Sequence, residues 1–227
     1  MRSGYFKEIE TAGLLEVLSK AQRLGFVGPE VVENHVKSSI LFYQCLEQVT
    51  DLSVKTSIVD IGTGGGIPGL VIAILHKKYA DSKITFIESS KRRTQFLEEA
   101  VNTLNLNATT EVFHGSTVTY LARNPNQFHK IGTARLFGSL PATLECLAPI
   151  LKTPAVITIS AHSRDKIIQN KAYFQACKEL GIEFVEKKSL ENYWFWIFRK
   201  NELSNIGYPR ARSLIKAMPM FEMARVE

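Results

Sequence analysis

The sequence has few of the features that mark secreted, membrane-spanning or metal-binding proteins. None of its apolar runs approaches the roughly twenty residues of a membrane-spanning helix, and the N-terminal MRSGYFKEIE lacks the apolar core of a secretory signal. Its three cysteines, Cys45, Cys146 and Cys177, are odd in number and too widely spaced for a disulfide framework or a thiolate metal site. We therefore expect a cytoplasmic protein with reduced thiols, without membrane attachment and without a bound metal.

The rest of the composition bounds the fold class and the partners. Internal repeats and low-complexity tracts are absent, and 227 residues with 45% apolar side chains predict one α/β domain with modest extensions. We expect a helical N-terminal extension at residues 1–50, broken into two pieces near Gly25 and Pro29, the α/β domain at 51–200 and a basic C-terminal arm at 201–227. The formal net charge of +6 and the pI near 9.2 suit a polyanionic partner, although many cytoplasmic proteins are as basic.

One stretch, residues 58–75, carries the strongest functional signal: IVDIGTGGGIPGLVIAIL. An apolar strand ends near Asp60, glycines then alternate at Gly62, Gly64 and Gly66, and an apolar helix follows. Glycine is required where the backbone takes a positive φ or where a ligand lies directly against it. A strand, a glycine turn and a helix N-terminus together predict a site for a nucleotide-like ligand.

The spacing of the glycines discriminates between cofactors. The dinucleotide pattern G-x-G-x-x-G fits only from Gly64, which starts the turn two residues late and would indicate a nicotinamide oxidoreductase. The pattern acidic-x-Gly-x-Gly-x-Gly fits from Asp60 without adjustment and resembles the S-adenosylmethionine loop of Rossmann-like methyltransferases. A turn without a ligand is the remaining interpretation, and it is disfavoured because three glycines weaken a turn for no packing gain.

A second acidic residue ends the next predicted strand, at residues 82–88. The ribose hydroxyls of a nucleotide-like cofactor bind at this position, so we expect Glu88 to hold the ribose, with an ordinary exposed acid as the alternative. Ser89 or Ser90 can cap the helix at 91–104. This helix opens with three basic residues, either phosphate contacts or a solvated face: Lys91, Arg92 and Arg93.

The remaining chain predicts more strands and helices. Strands are expected at 110–113, 130–136, 155–160, 182–187 and 193–199, and helices after Pro141 and at 165–180. The last two strands are so close that they should form an antiparallel hairpin. Arg135 lies at the carboxyl end of the fourth strand, the edge that faces ligands in a parallel sheet, where it could hold a carboxylate, a phosphate or a base edge. The loop after the third strand, with Thr117 and Val118, is where we expect the adenine ring.

Several segments together resemble one known family. The segments VDIGTGGGIPGL, FIESSKRRTQFLEEA, ARLFGSL and YPRAR, in this order, resemble the bacterial small-subunit (16S) ribosomal RNA guanine-N7 methyltransferases, the glucose-inhibited-division B family. The resemblance spans about residues 31–216, and the loop exit Ile67-Pro68-Gly69 is its most specific part. It implies a Rossmann-like class I methyltransferase, with a seven-stranded, mostly parallel sheet, a C-terminal antiparallel hairpin and an N-terminal helical extension. It also implies S-adenosylmethionine as the cofactor, 16S rRNA or the small ribosomal subunit as the partner, and a monomer.

The resemblance and the loop pattern together predict the site residues. Those expected to bind the cofactor are Asp60, Gly62, Gly64, Gly66, Ile67, Glu88 for the ribose, Thr117 and Val118 for the adenosine end, and Arg135. Arg135 matches the arginine of the family's Ser-Arg-Ala-Phe motif and is the expected catalytic residue, positioning either the guanine or the cofactor. Three family features are missing: an acid at positions 117–118, the aspartate of an N-terminal His-Ile-Leu-Asp-Ser segment, and a lysine at Ser160.

The implied chemistry explains why no catalytic base is evident. Guanine N7 carries an in-plane lone pair and no proton, so methyl transfer needs alignment of the reacting atoms and no deprotonation. The fourth strand ends in Ala134-Arg135-Leu136-Phe137, where amino-methylating relatives carry Asn-Pro-Pro-aromatic. The alternatives are a methyltransferase with another acceptor, a nicotinamide oxidoreductase, and a catalytically impaired RNA-binding relative, which the three missing features motivate.

Overall fold

The computed structural model describes residues 2–11, 13–52, 55–79 and 81–225. The chain divides into two compact units, Met1–Ser116 and Thr117–Glu227. The outermost ends of the predicted extension and arm, Met1, Val226 and Glu227, lie outside the described residues. Within the described ranges, no helix is both long enough and apolar enough to cross a membrane.

The N-terminal region is helical, as the apolar periodicity predicts, but it forms three helices and not two pieces. These are α1 (Arg2–Thr11), α2 (Leu14–Arg23) and α3 (Val32–Val49). The additional break lies at Gly13, whose φ of 79° is a left-handed conformation that does not continue a helix. Four residues of α2 at helical spacing are buried, which anchors it to the first unit: Leu14, Val17, Leu18 and Ala21.

The first unit also contains three parallel strands in the order β3-β2-β1, with helices between them in sequence. The strands are β1 (Ser57–Ile61), β2 (Lys83–Glu88) and β3 (Thr110–His114), and the helices are α4 (Gly69–His76) and α5 (Lys91–Thr103). Asp60 pairs with Phe86 and Glu88 pairs with His114, so the acidic ends of β1 and β2 lie at the carboxyl edge. The predicted core face of α5 is buried, at Phe96, Leu97, Ala100, Val101 and Leu104.

The second unit contains four strands of the predicted sheet, in the order β4-β5-β8-β7. They are β4 (His129–Ala134), β5 (Leu151–Ala161), β7 (Ile182–Leu190) and β8 (Tyr193–Lys200), which alternate with α6 (Thr117–Arg123), α7 (Leu140–Leu147) and α8 (Lys171–Leu180). β4 and β5 are parallel, whereas β5 pairs with β8, and β7 with β8, in antiparallel fashion. The seven strands that the predicted fold class requires are thus present in the described residues, and the C-terminal hairpin is confirmed.

One predicted helix is shorter than expected. The apolar pattern indicated a helix over 165–180, but β6 (Asp165–Ile167) is a strand and α8 begins only at Lys171. β6 pairs antiparallel with β9 (Met223–Arg225), a partner that no local pattern reveals. Asn170 then starts α8, because its side-chain Oδ1 accepts a hydrogen bond from the backbone N–H of Tyr173 at 3.0 Å.

The C-terminal tail is packed more deeply than its composition predicted. It forms α9 (Arg212–Ala217) as well as β9, and it buries Ile215 and Phe221. Arg210 donates from Nε and Nη2 to the two carboxylate oxygens of Glu145 on α7, at 2.7 and 2.8 Å. Glu145 is 1% exposed, so this arginine anchors the tail and does not extend into solvent.

Candidate cofactor site

The loop between β1 and α4 takes the shape that its glycines predict. Gly62, Gly64 and Gly66 have φ values of 64°, 61° and 94°, which are left-handed conformations that other residues adopt only with strain. The Gly62 N–H donates to the carbonyl of Ile87 at 2.8 Å and joins the loop to β2. Within the described chain, a Cβ built on Gly64 would meet only the Gly62 carbonyl, at 3.6 Å, so open space lies beside the loop.

The Glu88 carboxylate fixes this loop from the end of β2. Its Oε2 accepts the Gly64 N–H at 3.0 Å, while Oε1 accepts the Ser90 N–H at 2.8 Å and Nη2 of Arg93 at 3.0 Å. Glu88 is 2% exposed, so the exposed strand-end acid considered above is excluded. An ionised carboxylate has about four lone-pair sites, so these three donors leave capacity for one further donor such as a ribose hydroxyl.

Asp60 lies near the end of β1, and its side chain is close to Gly69, the first residue of α4. It is 1% exposed, and a Cβ built on Gly69 would come within 2.9 Å of its Oδ2. The Thr63 hydroxyl donates to the Asp60 carbonyl at 2.9 Å and fixes the exit from β1. Ile67, at the end of the loop, is half-buried. The structure therefore brings the predicted residues of the first unit together around one turn of the backbone.

The same loop makes a contact that the sequence did not predict, with the connection between α2 and α3. Gly65 lies against the connection between α2 and α3, and a Cβ there would come within 2.9 Å of the Phe26 carbonyl and would also overlap Val27. The Phe26 ring packs edge-on against Phe96 at 5.6 Å, and the Arg92 guanidinium lies over it at 5.6 Å. The only local signal for this contact was the middle glycine of the run Gly64-Gly65-Gly66, which has no positive φ of its own to explain it.

Two of the three basic residues at the start of α5 make contacts that the sequence did not predict. Arg93 is bound to Glu88 and the Arg92 guanidinium lies over the Phe26 ring, whereas Lys91 is exposed. Ser90 occupies the N-cap position, as predicted, but its hydroxyl makes no capping bond within the described chain. Ser90 contributes its backbone instead, because its N–H donates a hydrogen bond to the carboxylate of Glu88.

The other predicted site residues belong to the second unit. Thr117 and Val118 were expected in a loop, but they are the first two residues of α6, which starts directly after Ser116. Thr117 is buried and hydrogen-bonds the thiol of Cys146, whose pKa is raised by burial and partly lowered again by this bond. Val118 is 38% exposed. Arg135 directly follows β4, which ends one residue earlier at Ala134, and it is half-buried.

The family model for GidB, described as rRNA small subunit methyltransferase G, matches residues 13–192. The chain belongs to this family. Among the similar GidB-type proteins, the ribosomal RNA small subunit methyltransferase G of Acholeplasma laidlawii is 28% identical over 192 residues, which cover 82% of this chain and 78% of that protein. The protein of the same name from a Thermoanaerobacter species is 30% identical over 202 residues, covering 84% and 79%.

Solved structures show the same fold at low sequence identity. A SAM-dependent methyltransferase from Aquifex aeolicus is 16% identical, with a TM-score of 0.55, and the match covers 80% of this chain and 97% of that one. An O-methyltransferase from Bacillus cereus, solved in complex with SAH, is also 16% identical with a TM-score of 0.55, covering 82% and 89%. Membership of the GidB family confirms the predictions of a Rossmann-like methyltransferase fold, of an rRNA-methylating enzyme and of S-adenosylmethionine as cofactor.

The residues present fit this cofactor. The open space beside the half-buried Gly64 can accept an adenosyl group, and the buried Glu88 carboxylate has an acceptor site left for a ribose hydroxyl. No group of three histidine, cysteine, aspartate or glutamate residues able to hold a metal ion occurs within the described ranges.

Proposed function

We propose that this chain transfers a methyl group from S-adenosylmethionine to guanine N7 in the 16S rRNA of the small ribosomal subunit. The observation that carries the proposal is the hydrogen bond from the Gly64 N–H to the buried Glu88 carboxylate, at 3.0 Å. This bond joins the glycine loop and the ribose acid, the two parts that a nucleoside cofactor requires, at one point. The substrate class follows from membership of the GidB family.

Each predicted residue has a proposed role. In the first unit, the backbone of Gly62, Gly64, Gly66 and Ile67 would line the cofactor, with Glu88 at the ribose and Asp60 supporting the loop from below. In the second unit, we propose Thr117 and Val118 for the adenosine end and Arg135 as the catalytic residue that positions the guanine or the cofactor. The half-burial of Arg135 at the carboxyl end of β4 supports a positioning role, because a partly desolvated guanidinium holds a fixed direction.

Methyl transfer to guanine N7 requires the chain only to bind and orient the two reactants. The cofactor, when bound, supplies an electrophilic methyl group, and guanine N7 offers a lone pair without a proton to remove. The side chains therefore have to hold the acceptor at a near-attack distance and exclude water, and no residue has to act as a general base. This is why a chain without a base or nucleophile triad can still be an enzyme.

The partner and the assembly are also proposals. The net charge of +6 supports a polyanionic RNA partner, and we assign residues 51–200 to methyl transfer, with 1–50 and 201–227 as the extensions that contact the RNA. In the arm, Arg212 and Lys216 are the exposed candidates, because Arg210 is bound to Glu145. We propose a monomer that acts in the cytoplasm, where ribosomal subunits are found; light scattering of the purified chain tests the first point.

Mass mapping of rRNA tests the function directly. Small subunits and free 16S rRNA from cells that lack the chain are incubated with the purified protein and methyl-labelled cofactor, and the RNA is digested. We expect label in 7-methylguanosine at a single 16S position. Label in another nucleotide or in protein would assign another acceptor, and binding of cofactor and RNA without methyl transfer would assign a catalytically impaired relative.

A further inference from the structure

The turn after β4 exposes two large apolar side chains in succession. Leu136 is 89% exposed and Phe137 is 38% exposed, and residues 138 and 139 are exposed as well. Leu136 and Phe137 are the only adjacent pair of exposed large hydrophobic residues within the described ranges. Other exposed hydrophobic side chains stand singly, which is normal for a protein surface, so this pair calls for a separate explanation.

The backbone conformation of this turn does not favour an apolar residue at Leu136. Leu136 has a φ of 53°, a left-handed conformation that is disfavoured for a residue with a branched side chain. Glycine or asparagine would adopt it more easily, and a polar residue would be better solvated. An exposed apolar residue in a strained backbone conformation, such as Leu136, is characteristic of positions that meet a ligand.

The location of the turn indicates which ligand. β4 and β5 are parallel, and Ala134 pairs with Ile159, so both strands end at the same edge, where ligands of parallel sheets bind. The loop after β5 presents an exposed Arg164 at this edge. Nζ of Lys187 donates to the carbonyls of Ser163 and Asp165, at 2.7 and 2.6 Å, and holds that loop in place.

We propose that Leu136 and Phe137 form the platform on which the acceptor guanine lies, with Arg164 available to the RNA phosphate backbone. The inference rests on the proposed function, and it adds the residues that recognise the acceptor. Enzymes that modify a nucleic-acid base commonly turn that base out of its stack, and its exposed faces then need an aromatic or apolar surface. A flat purine face matches this apolar pair, and a cation nearby matches the charge of the nucleotide.

Steady-state kinetics on rRNA provide the first test. We expect F137A to raise the KM for RNA about tenfold or more, as for loss of one base-stacking contact, with a smaller change in kcat. L136N, which suits the left-handed backbone but removes the apolar face, should act in the same direction. F137Y should remain near wild type, and F128A is the matched control, because Phe128 has the same 38% exposure in the same unit. A KM for F137A equal to that of F128A would overturn the proposal.

Binding of guanosine 5′-monophosphate provides a test that does not depend on methyl transfer. Saturation-transfer NMR of the full chain is expected to detect base protons of this nucleotide in wild type and F128A, and to lose them in F137A. Ribose 5-phosphate should respond equally in all three proteins, since it has no base. Failure of methylation with this pattern intact would reject the proposed function alone, whereas equal base signals in F137A and wild type, or none in wild type, would overturn the platform.

Discussion

At the scale of single residues, the Glu88 carboxylate joins the glycine loop to the start of α5. Its carboxylate accepts two backbone N–H groups, from Gly64 and Ser90, and an ion-pair contact from Arg93, although it is 2% exposed. Hydrogen bonds to an ionised group contribute more than neutral ones, so this residue both fixes the loop and presents a negative charge to the proposed ribose. The two roles predict that a change of charge will weaken cofactor binding even where the fold survives.

The substitution E88Q tests this at the residue scale. Glutamine retains one acceptor oxygen for Gly64 or Ser90 but loses the charge, so we expect affinity for S-adenosylmethionine to fall by about 10-fold or more, in keeping with the 1.5–3 kcal/mol of a charge-assisted bond. Isothermal titration calorimetry measures the change. E111Q is the matched control, because Glu111 on β3 accepts a bond from Thr85 at 2.9 Å outside the loop. Equal affinities of E88Q and E111Q would contradict the ribose role.

At the scale of elements, the connection between α2 and α3 is part of the cofactor loop's support. Phe26 and Val27 pack against Gly65, and Phe26 is held in turn by Phe96 and Arg92 of α5. The helical extension is therefore joined to the loop through a contact in which only a hydrogen atom fits at Gly65. This explains the middle glycine of the run, Gly65, which backbone conformation does not require, since φ is positive at Gly64 and Gly66 but not at Gly65.

The substitution G65A tests that contact. The new methyl group must displace the Phe26 carbonyl or the loop itself, and we expect a loss of about 1–3 kcal/mol in unfolding free energy, as for overpacked cores, together with weaker cofactor binding. Thermal unfolding with and without S-adenosylmethionine measures both effects. G28A is the control in the same connection, because a Cβ there would meet only Cε1 of His35, at 3.9 Å. If G65A melted like G28A, the connection would not constrain the loop.

At the scale of the whole molecule, each unit buries an uncharged histidine. His76 and His129 are each 1% exposed, and burial lowers the pKa of both to about 4, with Lys78 contributing to the shift of His76. His129 is close enough to the Tyr120 hydroxyl to hydrogen-bond it, at 2.9 Å. In the unfolded chain these rings have a pKa near 6.5, so below this pH the unfolded state binds more protons than the folded state.

The predicted consequence is instability toward acid. The stabilisation is complete above pH 6.5 and is lost as the pH falls toward 4, amounting to about 2 kcal/mol for each histidine at pH 5. Urea unfolding at pH 7.5 and pH 5 measures the difference. We expect H129Q, which keeps a polar partner for Tyr120, to lose about 2 kcal/mol less between the two pH values. H162Q, at an exposed position, should retain the wild-type difference; identical differences in H129Q and wild type would contradict the assignment.

Much of the fold and of the loop could be predicted because the determining interactions are local. Positive φ values at Gly62, Gly64 and Gly66 follow from the spacing of glycines within one turn, and the core face of α5 follows from its helical period. The hairpin of β7 and β8 follows from a turn too short for a crossover. These features require no knowledge of distant residues.

The sequence by itself therefore determined the fold class, the cofactor loop and the family, since each depends on the spacing of residues that are close together in the chain. The tertiary structure alone decided which groups contact the cofactor loop and its acid, namely Phe26 at Gly65 and Arg93 at Glu88. It also bound Arg210 of the tail to Glu145, where an exposed arm was expected. It also made Asp165–Ile167 a strand, because a pairing partner near the C-terminus outweighed the local helical pattern. Such choices depend on which distant side chains and strands meet, and residues far apart in sequence meet only once the chain has folded.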